Sequence, residues 1–235
     1  MNIGTNVEKY HTFINCQLNP ETRRQFAGNR PRPTVTLSRQ IGSGAMVIAG
    51  ELAEYLQCRA PAPCQWMVFD KNLAEKVLEE HQLPKEIARF MPEDRVSAIH
   101  DAVEEMLGLH PPSRTLLQQT IETILHLAEL GHVILVGRGA NIITRRLNNV
   151  FHVRLVAPLE HRIEQVMARS QLDDKAAREF IRKQDRGRKR YLKNYFHAGI
   201  DDILQYDLVV NTARIPHREV AHLIGEAVLH WAKTQ

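Results

Sequence analysis

Cysteine is scarce in this chain. The three present, Cys16, Cys58 and Cys64, are odd in number and never stand in a C-x-x-C pair. That spacing excludes a disulfide-rich scaffold and suits reduced thiols in a cytosol. The histidines are dispersed, with no H-E-x-x-H and no paired Cys/His pattern, so no structural metal is expected. A Gly-x-Ser-x-Gly elbow is also missing, which removes the usual hydrolase signature. No apolar run reaches the length of a membrane span, and Met1-Asn2-Ile3-Gly4 does not open a signal peptide. A cytoplasmic protein without membrane contact is the expectation. Charge is nearly balanced: the net +4 favours anionic ligands only mildly. Internal repeats and low-complexity tracts are absent. The 235 residues that remain, 43% hydrophobic and 25% charged, suit one α/β domain.

Residues 1–32 are polar and run into the breaker cluster Asn29-Arg30-Pro31-Arg32-Pro33. They read as an extension outside the main fold, with at most a weak helix over 7–18. From residue 33 strands and helices alternate. A β-branched strand at 34–38 precedes a helix at 45–57 with Val47, Ile48, Leu52, Tyr55 and Leu56 on one face. Trp66-Met67-Val68-Phe69 is a second apolar run before Asp70. Helical patterns fill 71–130, broken at Pro84, Pro92 and Pro111-Pro112. Ser113 is placed to cap the last of them and Gly131 to stop it. Val133-Ile134-Leu135-Val136 is continuously apolar, as a strand buried on both faces should be. Further strands are expected at 151–156 and 208–210, with helices from Pro158, from Asp173 and over 215–232. The alternation implies βαβ units and a parallel sheet covered by helices.

The chemistry concentrates in two places. The first is Ser38-Arg39-Gln40-Ile41-Gly42-Ser43-Gly44, where a strand runs into a glycine turn and then a helix. Backbone N–H groups and a helix N-terminus converge there on one anion. The consensus G-x-x-x-x-G-K-[ST] is incomplete, since Gly44 is followed by Ala45, Met46 and Val47 and the lysine is gone. The second is the basic run Arg182-Lys183-Gln184-Asp185-Arg186-Gly187-Arg188-Lys189-Arg190, on the helix that Asp173 opens.

With these segments and Phe69-Asp70-Lys71, Val136-Gly137-Arg138-Gly139-Ala140, 153–162 and 206–212 in this order, the chain resembles the cytidylate kinase-like family over roughly residues 33–230. That family is a branch of the P-loop nucleoside monophosphate kinases. The resemblance implies a P-loop kinase fold: a five-stranded parallel sheet flanked by helices, in a domain spanning 33–235, with a helical lid at about 178–200. It implies an ATP-dependent phosphotransferase using Mg2+ and acting on a nucleoside monophosphate or similar small phosphorylated acceptor. Gly42, Ser43 and Gly44 would hold the nucleotide. Arg138, Asp185 and Asp70 would hold the acceptor, and the lid residues Arg182, Arg186 and Arg188 would act on the transferring group. Cytidylate kinases resemble Gly-Arg-Asp where this chain has Gly137-Arg138-Gly139, so a carboxylate that helps read the acceptor is missing. The branch also tends to carry an arginine where Met46 stands.

Arg39 leaves the strand just before the loop and is the nearest replacement for the lost lysine. The alternative for it is a surface charge paired with Asp70. A dense run such as 178–193 is often only a solvated face, and Lys183 and Lys189 are read that way. Two other functions compete with the kinase reading. A nucleotide-binding protein with an impaired P-loop would explain the lost lysine and hydroxyls. Nucleic-acid binding through the basic helix is disfavoured by few interleaved aromatics and a modest charge. Neither the acceptor's identity nor the oligomeric state is written in the sequence.

Overall fold

The computed structural model describes residues 12–17, 19, 21–22, 32–60, 62, 64–70 and 114–234. Five parallel strands form one sheet: β1 (Thr34–Arg39), β2 (Met67–Phe69), β3 (Val133–Val136), β4 (Val150–Val156) and β5 (Leu208–Asn211). Their spatial order is β2-β3-β1-β4-β5. The strands at 34–37 and 133–136 therefore take interior positions, as their sequences predict. Six helices are labelled here: α1 (Ala45–Arg59), α2 (Arg114–Leu130), α3 (Ala140–Ile143), α4 (Leu159–Ser170), α5 (Asp174–Phe196) and α6 (His217–Thr234). The helices expected between residues 71 and 113, and the Ser113 cap, lie outside the described residues.

Side-chain alternation assigns the two faces of the sheet. Val35 and Leu37 of β1, with Ile134 and Val136 of β3, join Ile48, Leu52 and Leu56 of α1 and Val220, Ile224 and Val228 of α6. Of the face expected on α1, Val47 is instead exposed. On the other side of the sheet, Val133 and Leu135 meet Ile121, Leu125 and Ala128 of α2. Here β1 presents Thr34 and Thr36, and both hydroxyls are satisfied: Thr34 Oγ1 donates to the Ala128 carbonyl at 3.0 Å, and Thr36 Oγ1 pairs with His152 Nδ1 at 2.8 Å. Burying such groups is tolerable because each has a partner.

Punctuation follows the sequence. Gly131 ends α2 at φ +72°, with its N–H bonded to the Leu127 carbonyl at 3.2 Å. Pro158 directly precedes α4, and Asp173 caps α5 by accepting from the Ala176 N–H at 2.7 Å.

Two expectations are corrected. Part of the N-terminal extension belongs to the core, because residues 12–17 are helical and Phe13 and Ile14 are buried against Phe69 and Leu135. The three thiols are not all reduced either, since Cys16 and Cys64 form a disulfide across 48 residues and only Cys58 is free. The packing of Phe13 and Ile14 brings the two cysteines together, and no local spacing could announce it. That pairing withdraws the ground on which a cytosolic setting was expected. Among the described residues no helix is long and apolar enough to cross a membrane.

Candidate functional site

The site lies at the carboxyl edge of β1, β3 and β4, where open parallel sheets leave a crevice. At the end of β1 the chain turns through Gly42 (φ +80°) and Gly44 (φ +78°) into α1. A β-carbon on Gly42 would stand 2.5 Å from the Arg162 carbonyl oxygen, and one on Gly44 would strike the His217 ring. Both positions thus require glycine on two counts, the left-handed backbone and the close approach. Ser43 is buried, and its hydroxyl donates to the Gln40 carbonyl at 2.9 Å. No side chain caps the first turn of α1, and no acidic residue stands in it. Those backbone donors and the positive end of the helix are left for an anion.

Three cavities meet beside this loop, with volumes near 210, 280 and 180 Å³. The first is the P-loop cavity, bordered by Gly42, Ser43, Gly44, Ala45, Met46 and Arg169. The second lies against Gly137, Arg138 and Gly139 after β3. The third is walled by Arg154, Arg162, Asp185, Lys189 and Asp201. Arg39 and Arg188 line all three.

Arg39 is therefore no plain surface charge. Its guanidinium lies so close to Gly137 (φ +85°) that a β-carbon there would overlap it. Burial first, and then the nearby charge of Arg188, pulls its pKa down to about 10; Arg138 and Arg154 add to the lowering and Asp70 opposes it. Burial likewise lowers Arg188, against the raising effect of Asp185. Four guanidinium groups this close repel one another, and an anion would relieve them.

Helix α5, which spans most of the segment expected as a lid, is held at three levels. Ala177 and Ile181 pack on Ile163 and Val166 of α4, and Leu192 packs on Ile142 of α3 and on Ile200. Between them Asp185 accepts from the Ile41 N–H at 3.0 Å, from Arg162 Nη1 at 2.6 Å and from Arg188 Nη1 at 3.3 Å. The Asp185 carboxylate thus joins α5 to the loop after β1. Arg182 and Arg186 are exposed and border none of the three cavities, whereas Arg188 borders each. Asp70 directly follows β2, and its charge acts on Arg39.

Other residues at the site escaped the sequence reading. Arg154 of β4 is only 5% exposed; it donates to Ser38 Oγ at 2.9 Å and to Asp201 Oδ1 at 3.4 Å. Arg162 of α4 is also buried. The available signal was an arginine inside the mostly apolar run of β4. Its meaning depends on the register that sets Ser38 opposite Arg154.

Among the described residues the cavity at the glycine turn has no carboxylate in its lining, and Ser43 is already bonded to a carbonyl. This donor set fits a magnesium ion that arrives with its nucleotide and is held mainly by phosphate oxygens and water. It does not fit a resident metal.

The cytidylate kinase-like family model matches residues 34–214. A cytidylate kinase from Methanocaldococcus jannaschii is 23% identical over 160 residues, covering 67% of this chain and 89% of that protein. A cytidylate kinase from Pyrococcus horikoshii is 27% identical over 164 residues, covering 69% of this chain and 81% of that protein. Among solved structures, an uncharacterized protein from Eubacterium ventriosum superposes with a TM-score of 0.63 at 19% identity, over 85% of this chain and 99% of the other.

Proposed function

The chain belongs to the cytidylate kinase-like family, and from that premise we propose that it transfers the γ-phosphoryl group of ATP to a small phosphorylated acceptor, in the first instance a nucleoside monophosphate. One observation carries the reading: Arg39 and Arg188 line both the P-loop cavity and the cavity at Gly137–Gly139. Two anions bound side by side would meet at these guanidinium groups, which is what a phosphoryl group in flight requires.

In this reading the Gly42–Gly44 turn and the first turn of α1 hold the ATP phosphates, and Arg138 grips the acceptor phosphate. An acceptor oxygen forms the new bond to the γ-phosphorus while the bond to the β–γ bridging oxygen breaks, releasing ADP. The acceptor is already anionic, so no strong general base is needed. Magnesium, brought by ATP, neutralises charge on the phosphates. Arg39 and Arg188 stabilise the charge spread over the transferring group. They take the place of the lysine that Ala45 replaces. Asp185 positions them by tying the lid helix to the loop, rather than touching the acceptor. Arg182 and Arg186 stand as solvent-facing charges unless the lid rearranges around substrate.

A nucleotide-binding protein without turnover is the second reading. It is favoured by Ala45 and Met46 in the P-loop cavity, where the consensus has a lysine and a hydroxyl. ATP, magnesium and a panel of nucleoside monophosphates, followed by ADP release, decide between the two. Acceptor-dependent ADP release supports phosphotransfer. ATP binding with no release at high enzyme loading selects the second reading.

A further inference from the structure

The cavity beside Gly137–Gly139 has a wall that phosphate chemistry leaves unused. Asn141, in α3, borders this cavity and is only 5% exposed. Its Nδ2 is buried and has no hydrogen-bond partner. A buried amide left in that state carries an uncompensated desolvation cost, and in the wall of a cavity it points to a ligand that supplies the bond. The surrounding wall is apolar and aromatic, with Leu135, Leu192, Ile200 and the ring of Tyr191. That ring is steadied by Tyr195 and Phe196, at 5.2 and 5.8 Å between centroids. Arg39, Arg138 and Arg188 line the same cavity.

We propose that Asn141 reads the base edge of a nucleoside monophosphate acceptor, with Tyr191 and its apolar neighbours facing the ring and the arginines taking the phosphate. This rests on the acceptor reading above and adds the group that selects the base. A carboxylate-bearing residue at position 139 would be strained as the chain is folded. Gly139 has φ +72°, and a β-carbon there would lie 2.9 Å from Leu192 Cδ2. Asn141 offers an amide instead, which both donates and accepts, where an ionised carboxylate only accepts. An amide therefore meets either an oxo edge or an amino edge.

The test measures equilibrium binding of CMP, UMP, AMP, GMP and baseless ribose 5-phosphate to the full chain, with thermal unfolding confirming that each variant folds. At least one monophosphate should bind about tenfold or more tightly than ribose 5-phosphate, the scale of one well-made hydrogen bond. Asn141→Ala should erase that advantage while ribose 5-phosphate loses less than about twofold. Asn141→Asp should shift preference about tenfold among the four monophosphates, toward bases whose edge at residue 141 donates through an amino group or a ring N–H and away from edges that only accept, because an ionised carboxylate accepts only. The proposal is overturned if no monophosphate exceeds ribose 5-phosphate, or if the Asn141 variants weaken both kinds of ligand equally. Asn141-dependent base preference without ADP release would leave this proposal standing and remove phosphotransfer. ADP release that ignores both the base and residue 141 would do the reverse.

Discussion

Arg39 shows how far one residue can be read from its neighbours in sequence. Its place between a strand and a glycine turn marks it for phosphate, but its actual surroundings come from four other segments of chain. If it replaces the missing lysine, Arg39→Ala should lower single-turnover ADP release by about 10²–10³, the cost of one lost transition-state donor. Gly137→Ala should have a similar effect without touching the guanidinium, because the added methyl group would displace it. Equal turnover in wild type and Gly137→Ala would mean that Arg39 works elsewhere. Arg138→Ala should chiefly raise the acceptor KM, since a phosphate grip acts in ground and transition states alike. The glycine turn and the half-buried Arg39, Arg138 and Arg188 that line the cavities stand beside local sequence signals, whereas the exposed Arg182 and Arg186 of the same basic run border none of the three cavities. Arg154 and Arg162 were not legible, since a buried arginine acquires its meaning from the strand register and from Asp185 and Asp201 beyond it.

At the scale of elements, apolar runs and breakers located the five strands and the helices α1, α2, α4, α5 and α6 to within a few residues, because buried elements leave a continuous or periodic pattern, while the four-residue α3 left none. The helix at residues 12–17 was read as lying outside the fold for the opposite reason: it is short, and only its packing into the apolar cluster with Phe69 and Leu135 buries it. Helix α5 is announced by its Asp173 cap and basic run, yet its attachment depends on a carboxylate, Asp185, that the sequence offers only as one charge in that run. Asp185→Asn should weaken the tie to Ile41 and Arg162 and leave Arg162 with a poorer partner. Amide exchange over residues 178–196 should then quicken in the ligand-free protein. In wild type the same amides should slow when ATP and acceptor bind together. Exchange indifferent to both changes would show that α5 is fixed by its apolar ends alone. Gly187 supplies a second test, because a β-carbon there meets nothing within 4 Å although the residue borders the cavity proposed for the acceptor. Gly187→Ala should stabilise the free helix by about 1 kcal/mol and still weaken acceptor binding, read by urea unfolding and by titration.

For the whole molecule, two ionisation patterns set how stability responds to solution conditions. The arginine cluster at the sheet edge repels itself, so an anion that binds only the folded chain stabilises it. ATP at a hundred times its dissociation constant contributes about 2.7 kcal/mol, which for a domain of this size raises Tm by roughly 5–10 °C. Acid acts in the other direction, through two histidines. Burial lowers the pKa of His126, and burial with the Arg32 charge lowers that of His132, each to about 4 from the usual 6.5. Both are neutral in the folded chain at pH 5, whereas in the unfolded chain both are protonated. The unfolded state thus binds more protons, and stability present above pH 6.5 is lost as pH falls toward 4. Each histidine accounts for roughly 3 kcal/mol across that window, a large share of an ordinary domain's stability of about 5–15 kcal/mol. Urea midpoints measured from pH 7 to pH 4.5 should fall steadily, with an uptake of at least about two protons on unfolding near pH 5, because burial lowers His152 and His217 as well. A midpoint that holds level between pH 6.5 and 5 would mean that these imidazoles are not held neutral by the core.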